Sequence, residues 1–158
     1  MSFPQPSEVL PQQFPMLLID EIVGHDEQAT TALVKIRLNS PFSDDLGRVE
    51  ACVALEYMAQ TAAAHSGLRA LAGGGKARIG YLLGTRKLAL ECSHFGHGQV
   101  LRVTARETWT DGELGSFCCS VVDVQDGREL ASCVLSAFSP LQDPREGLAR
   151  ALGDMTGR

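Results

Sequence analysis

The sequence has little basic charge and no long apolar run, and these absences exclude several classes of protein. Its 158 residues include 14 Lys and Arg against 19 Asp and Glu, which gives a net charge of −5. A mildly acidic chain without a Lys/Arg cluster is a poor candidate for binding nucleic acid or an anionic membrane surface. No apolar stretch approaches the ~18 residues that indicate a membrane-spanning helix. Residues 1–13 hold no basic residue and no apolar run, so we expect no signal peptide.

Cysteine is scarce, and its spacing carries no metal or disulfide pattern. The five cysteines are odd in number and lack Cys-x-x-Cys spacing, which argues against a disulfide framework and against a zinc site. We interpret them as small buried hydrophobic residues in a reducing cytoplasm. His94 and His97 have a metal-ligand spacing but no third ligand nearby. The sequence therefore predicts a cytoplasmic protein with no metal and no cofactor.

The predicted elements are two strands, one long helix and four further strands. Met16–Val23 and Ala32–Leu38 are predicted as a hairpin around a turn at Gly24–Gln28. The stretch 49–72 contains the only long helix, which is rich in Ala, Leu and Met and apolar almost all round. Such a helix is buried on most of its circumference. Asp-Gly pairs mark two of the turns between the last four strands, which are Arg78–Glu91, Gln99–Thr110, Glu113–Val124 and Arg128–Phe138.

This order of elements predicts an α+β fold. One helix cannot cover two faces of a six-stranded sheet, whereas a strongly curved antiparallel sheet can wrap around it. We therefore predict a curved antiparallel sheet around one long central helix, as a single domain over residues 1–140. Residues 141–158 are predicted to be a polar tail that is a short helix or disordered. The long edge strands of such a sheet are expected to pair with another subunit.

Three motifs in this order resemble one enzyme family. Leu10–Asp20 reads LPQQFPMLLID and resembles the opening of bacterial β-hydroxyacyl-acyl-carrier-protein dehydratases, typically LPHRYPFLLVD. Ala54–Gln60 reads ALEYMAQ and resembles their helix motif IVEAMAQ, and Gly80–Gly84 resembles their YFLG strand. The resemblance covers residues 10–139 and implies the hot-dog fold and a thioester dehydratase. A similar IEYMAQ helix occurs in the predicted dehydratases of aryl polyene gene clusters, which are the nearest subgroup.

The resemblance implies a site at the central helix. Glu56 is expected to be the acid/base, and Gln60, four residues on and on the same face, is expected to orient it. A carboxylate on a buried apolar helix is costly unless it is paired, hydrogen-bonded or protonated, and such environments suit acid/base work. Backbone N–H groups at the helix start would hold the developing negative charge of the thioester oxygen. The expected substrate-binding residues are Ala51, Cys52, Val53, Phe42, Tyr81, Leu82 and Gly84.

One departure from the family pattern bears directly on activity. The family motif NPFFxGHFPG precedes the helix and carries the catalytic histidine. Here Ser40-Pro41-Phe42 matches its start, but no histidine lies between His25 and His65. His65 is half a turn away from Glu56 around the helix, so we expect it at the surface or at an interface, and we expect His25 to be solvated. Gln12 also stands where a histidine is typical of the family.

Three functions therefore stay open. The first is a dehydratase of β-hydroxyacyl chains in which Glu56 is the main acid/base, acting alone or in a mixed dimer. The second is a non-catalytic subunit whose active paralogue supplies the missing histidine across a shared interface. The third is a thioesterase in which the helix carboxylate activates water. The expected partners are an acyl carrier protein or a CoA thioester, and a second hot-dog subunit, either identical or paralogous, with no nucleic acid and no membrane.

Overall fold

The computed structural model describes residues 2–142, in which one long helix packs against a six-stranded antiparallel sheet. The sheet has the strand order β1-β2-β6-β7-β8-β4, and a separate two-stranded ladder joins β3 to β5. The elements are α1 Pro6–Val9, β1 Glu21–His25, β2 Ala29–Lys35, β3 Val49–Glu50, a 3-10 turn Ala51–Val53, α2 Ala54–Ala72, β4 Tyr81–Leu90, β5 His94–Phe95, β6 Val100–Thr110, β7 Leu114–Asp123 and β8 Glu129–Phe138.

Helix α2 forms the centre of the core. It contacts β2, β6, β7 and β8, and ten of its nineteen residues are buried. A Cβ atom at Gly67 would collide with the backbone carbonyl oxygen of Val9, so only glycine allows α1 to lie this close to α2. The largest fully buried side chains around the helix include Phe95, Met58, Leu101, Leu130 and Leu135. The predicted arrangement of a sheet around one central helix is therefore correct.

The predicted bounds of the first hairpin are wrong. Strand β1 begins at Glu21 rather than Met16, and β2 begins at Ala29 rather than Ala32. The turn is shorter than predicted because Asp26 Oδ1 accepts hydrogen bonds from the backbone N–H groups of Gln28 and Ala29, both at 2.8 Å. Such a side-chain turn reverses the chain within a few residues.

The cysteines divide between the core and the surface. Cys119 and Cys133 are buried opposite each other on β7 and β8, as the prediction of small buried hydrophobes requires. Cys52 and Cys118 are exposed, so the prediction is wrong for them. Cys118 is exposed because successive residues of a strand point to opposite faces and Cys119 takes the core side. Cys92 is half-buried.

Strand β4 is one edge of the sheet and is exposed along most of its length. Two irregularities interrupt its register with β8, one between Leu82 and Gly84 and one between Arg86 and Ala89. Its large apolar side chains are at least 40% exposed, namely Tyr81, Leu82, Leu83, Leu88 and Leu90. Over residues 2–142, no helix is both long and apolar enough to cross a membrane. The predicted tail at 141–158 lies almost entirely outside the described residues.

Candidate functional site

Glu56 lies in the first turn of α2 and is half-buried. Its Oε1 accepts a hydrogen bond of 2.9 Å from Nε2 of Gln60, one helical turn further on. Side chains four residues apart are neighbours on a helix surface, so the contact follows directly from the spacing. The structure thus places the predicted acid/base and its predicted orienting residue in direct contact.

Gln60 is held in one orientation by the segment that precedes β1. Its side chain is almost completely buried, with 1% of the residue exposed. Its Oε1 accepts the backbone N–H of Leu18 at 2.8 Å, and its Nε2 donates to the backbone oxygen of Met16 at 2.7 Å as well as to Glu56. Because an amide oxygen only accepts and an amide nitrogen only donates, these partners fix the orientation of the amide. The donor that faces Glu56 is therefore fixed too.

This network joins the opening motif to the helix motif. Residues 16–20 do not form the predicted strand, because Met16 and Leu18 bond to the Gln60 side chain instead of to a neighbouring strand. The helical spacing predicted that Glu56 and Gln60 would meet, but no local pattern indicates the contacts of Gln60 with Leu18 and Met16, which lie 42 and 44 positions away. The opening motif thus serves to hold the helix amide.

A cavity of about 130 Å³ adjoins Glu56. Tyr81 and Leu82, at the start of the exposed edge strand β4, line the cavity together with residues of α2. Ligand pockets for molecules of drug size usually measure ~300–1,000 Å³, so this space holds only a few atoms of an acyl thioester. Among residues 2–142, no histidine lines it. Its polar lining consists of Gln12, Glu56, Gln60, Ser66, Arg78, Tyr81 and Ser139.

Other predicted substrate-binding residues lie around a second cavity. Phe42, Cys52 and Val53 line an open space of about 460 Å³ that Glu56 does not reach. Phe42 has a φ of 64°, a backbone conformation that is uncommon for residues other than glycine. Within one subunit, the structure therefore divides the predicted residues between two cavities, with Tyr81 and Leu82 beside Glu56 and these three residues elsewhere.

Two further predicted substrate-binding residues, Ala51 and Gly84, line neither cavity within the single subunit. The backbone N–H of Ala51 donates to the oxygen of Ser93 at 2.9 Å, so this donor is occupied and does not await a thioester oxygen. Gly84 is exposed on β4 and lines neither cavity. This hydrogen bond continues the pairing of β3 with β5, two short strands that the sequence pattern did not reveal.

His94, one of the two histidines with metal-ligand spacing, lies at the second cavity. It lies in β5, opposite Glu50 of β3, and lines the space together with Cys52. Its Nδ1 is 3.0 Å from Oγ of Ser93. In the part of the chain that the structure describes, no three His, Cys, Asp or Glu side chains are grouped as a metal site would require.

A second polar cluster is buried on the far side of α2, contrary to expectation. His65 is fully buried, and its Nδ1 lies 3.1 Å from Oγ1 of Thr30, which also lies 2.7 Å from Nδ1 of His25. The expected surface position of His65 is wrong because β2 covers that face of the helix. Burial lowers the pKa of both imidazoles, since the charged form loses its hydration.

Solved structures with the same fold are hot-dog proteins. The dehydratase heterocomplex ApeI:P from Xenorhabdus doucetiae matches with a TM-score of 0.84 and 22% identity over 99% of each chain. A hypothetical thioesterase with coenzyme A from Streptococcus pneumoniae TIGR4 matches with a TM-score of 0.61 and 13% identity, covering 78% of this chain and 90% of that one. The smu.793 protein of Streptococcus mutans UA159, bound to acetyl CoA, matches with a TM-score of 0.60 and 11% identity, covering 77% and 89%.

These matches confirm the predicted hot-dog fold. Residues 4–149 match the model of the ApeP-like family, described as ApeP dehydratase, and the chain belongs to that family. No curated protein matches its sequence. The family match confirms the predicted resemblance to the thioester dehydratases of aryl polyene clusters.

Proposed function

We propose that this chain contributes Glu56 to a dehydratase site that a paralogous hot-dog subunit completes. The observation that carries the proposal is the Glu56 carboxylate itself. It is oriented by a fully bonded amide beside a cavity that is too small for an acyl chain and that ends at an exposed sheet edge. The substrate is a β-hydroxyacyl thioester on an acyl carrier protein or on CoA.

The chemistry needs more than one acid/base group. A base removes a proton from C2, the hydroxyl leaves C3 as water after taking up a proton, and a C2–C3 double bond forms in the enoyl thioester. General acid–base groups must lie within hydrogen-bonding reach of these atoms. Among the described residues, Glu56 is the only titratable carboxylate at its cavity, and no histidine joins it there. Because the second group of the resembled family is a histidine, we infer that it comes from outside the subunit.

The edge strand β4 is the surface through which a second subunit would reach this cavity. An exposed edge presents unpaired backbone N–H and C=O groups that can pair with another chain. Leu83, Leu88 and Leu90 add exposed apolar area along the same strand, and Tyr81 and Leu82 lie at the cavity itself. Pairing here would cover the cavity and enlarge it with residues from the partner. The Xenorhabdus doucetiae relative was solved as a heterocomplex of dehydratase subunits, which supports a paralogous partner.

Basic side chains near the cavity support a carrier-bound substrate. Arg78 lines the cavity, where one of its guanidinium nitrogens donates to the oxygen of Gly112 at 3.0 Å. Arg86 and Lys87 are exposed further along β4. Guanidinium and ammonium groups bind phosphate and steer acidic partners. These residues suit the phosphate of a phosphopantetheine arm or the acidic surface of a carrier protein.

The test compares the chain alone with the chain co-purified with a paralogous hot-dog subunit. Each sample is incubated with a β-hydroxyacyl carrier protein, and the enoyl product is followed by mass spectrometry and free thiol by a thiol reagent. We expect enoyl product from the complex and at most a trace from the chain alone. Equal dehydration by the isolated chain would refute the shared site, and thiol release without enoyl product would favour the thioesterase alternative.

A further inference from the structure

Gln12 lines the Glu56 cavity but has no role in the network described above. It is half-buried, at the position where the resembled dehydratases typically have histidine. Its side-chain oxygen, Oε1, is shielded from solvent and has no hydrogen-bond partner. The only other described side-chain atom in that situation is Nε2 of His65. Buried polar atoms are nearly always hydrogen-bonded in folded proteins, so each exception requires an explanation.

Gln60 lines the same cavity but differs from Gln12 in its hydrogen bonds. Every polar group of the Gln60 amide is bonded within the protein. Ser139 likewise donates to the backbone oxygen of Ile79 at 3.0 Å, and Arg78 to the oxygen of Gly112. Both of these donors are directed toward other acceptors. The oxygen of Gln12 is therefore left to receive a donor that arrives with the ligand.

We propose that Gln12 is a substrate-binding residue whose Oε1 accepts a hydrogen bond from the β-hydroxyl of the acyl chain. The inference rests on the proposed function and adds a specificity determinant to it. A β-hydroxyacyl thioester on a pantetheine arm carries one donor next to the reacting carbons, and that donor is the β-hydroxyl. The cavity of about 130 Å³ has room for the atoms around C2 and C3 but not for the arm, whose amide N–H groups lie further away.

This contact would give the site a preference for substrate over saturated chains. A hydroxyl that donates to Gln12 keeps its lone pairs available for the proton with which it leaves as water. A saturated acyl chain of the same length offers no donor and would leave Oε1 unsatisfied. Sites built to bond a hydroxyl reject analogues that lack it, because the buried polar group then stays unpaired.

The experiment measures binding to the complex with the paralogue. The ligands are two pantetheine ketone analogues of equal chain length, in which a methylene group replaces the thioester sulfur, so that neither gains a new donor. One carries a 3-hydroxyacyl chain and the other the saturated chain. Calorimetry should show the hydroxyl form binding about tenfold more tightly to the unaltered complex, the size expected for one hydrogen bond. Gln12→Met keeps the length of the side chain but removes the acceptor, and it should abolish this preference while changing the Kd of the saturated ligand less than about twofold.

Gln13→Met is the matched control, because Gln13 is exposed and bonds only through its backbone oxygen. It should keep the full preference. Gln12→Leu serves as a second apolar variant, and thermal unfolding of both variants checks that the fold is intact. Removing an unpaired buried acceptor leaves no new unsatisfied group, so neither midpoint should fall.

The outcomes separate this inference from the proposed function. Binding requires no turnover, so a complex that shows the preference but forms no enoyl product would refute the proposed function and uphold the role of Gln12. An active complex whose Gln12 variants keep the preference, or lose affinity equally for both ligands, would overturn the role of Gln12. Absence of any binding by the hydroxyl ligand would overturn it as well.

Discussion

Two cavities near the beginning of α2 differ in how firmly their polar groups are held. At the first, Glu56 is fixed by Gln60, which is itself bonded to Met16 and Leu18. At the second, Cys52 is exposed and lies 3.7 Å from the exposed carboxylate of Glu50. The carboxylate of Glu56 is bonded to a buried amide, whereas Cys52 and Glu50 lie at the surface.

This difference explains how the chain can keep the glutamate of the family's acid–base pair while lacking the histidine. The family histidine is expected on the segment after Phe42, which here is a turn at the surface. Residues on such segments change with little effect on the fold. Glu56 and Gln60 cannot change so freely, because their network joins the central helix to the chain before β1.

The largest expected effect is the loss of dehydration on Glu56→Gln in the complex with the paralogue. A general acid/base contributes about 10²–10⁴-fold, so kcat should fall by at least about a hundredfold. Cys52→Ser at the other cavity should change kcat by less than about twofold, since an exposed thiol outside the site contributes little. Steady-state assays of the two variants test the contrast directly. Similar losses in both variants would show that the cavities work together.

Gln60→Leu should destabilise the subunit by about 2–4 kcal/mol. It leaves the N–H of Leu18 and the oxygen of Met16 without their partner, and each such buried group costs about 1–3 kcal/mol. Urea unfolding measures the free energy of unfolding. Gln125→Leu, at an exposed residue bonded only through its backbone N–H, is the control. A cost for Gln60→Leu no larger than that of the control would show that the network does not hold the opening segment.

Leu83→Lys should weaken pairing through β4 by at least about tenfold in Kd, because an unpaired ammonium would be buried in the interface. The isolated subunit should keep its stability, since this side chain is 59% exposed there. Sedimentation velocity with the paralogue measures the effect. Leu46→Lys, at a leucine that is 67% exposed and away from β4, provides the comparison. Undiminished pairing of the Leu83 variant would place the interface on another surface.

The smallest expected effect concerns pH. Burial lowers the pKa of His65 and His25 below the ordinary value of 6.5, while the nearby carboxylates of Glu107 and Asp26 oppose that shift for His65. The unfolded chain therefore takes up protons before the native chain does, and the free energy of unfolding falls as the pH drops below about 6.5. Urea unfolding between neutral and mildly acidic pH should show a shallower decline for His65→Leu than for the unaltered chain. An unchanged slope would show that His65 does not contribute.

Local signals predicted most of the fold. The Ala-rich helix and the Asp-Gly turns between the last strands appear where the sequence placed them, because propensity and turn chemistry act within a few residues. The failures involve distant contacts. His65 is buried against β2, where it contacts Thr30. Residues 16–20 are irregular because their backbone bonds to the side chain of Gln60. At the candidate site, spacing predicted that Glu56 and Gln60 would meet. It did not predict that β3–β5 pairing would occupy the N–H of Ala51, or that Gln12 would lie in the same cavity.

The hydrogen bonds between Gln60 and the opening segment affect how the sequences of related chains can diverge. Its amide recognises main-chain atoms of Met16 and Leu18, which every amino acid except proline offers in full. Substitutions among apolar residues in this segment keep these main-chain hydrogen bonds. Related chains can therefore differ in the amino-acid sequence of the segment while Glu56 keeps its position. Proline at position 18, which lacks the N–H, is the replacement that natural variation should avoid.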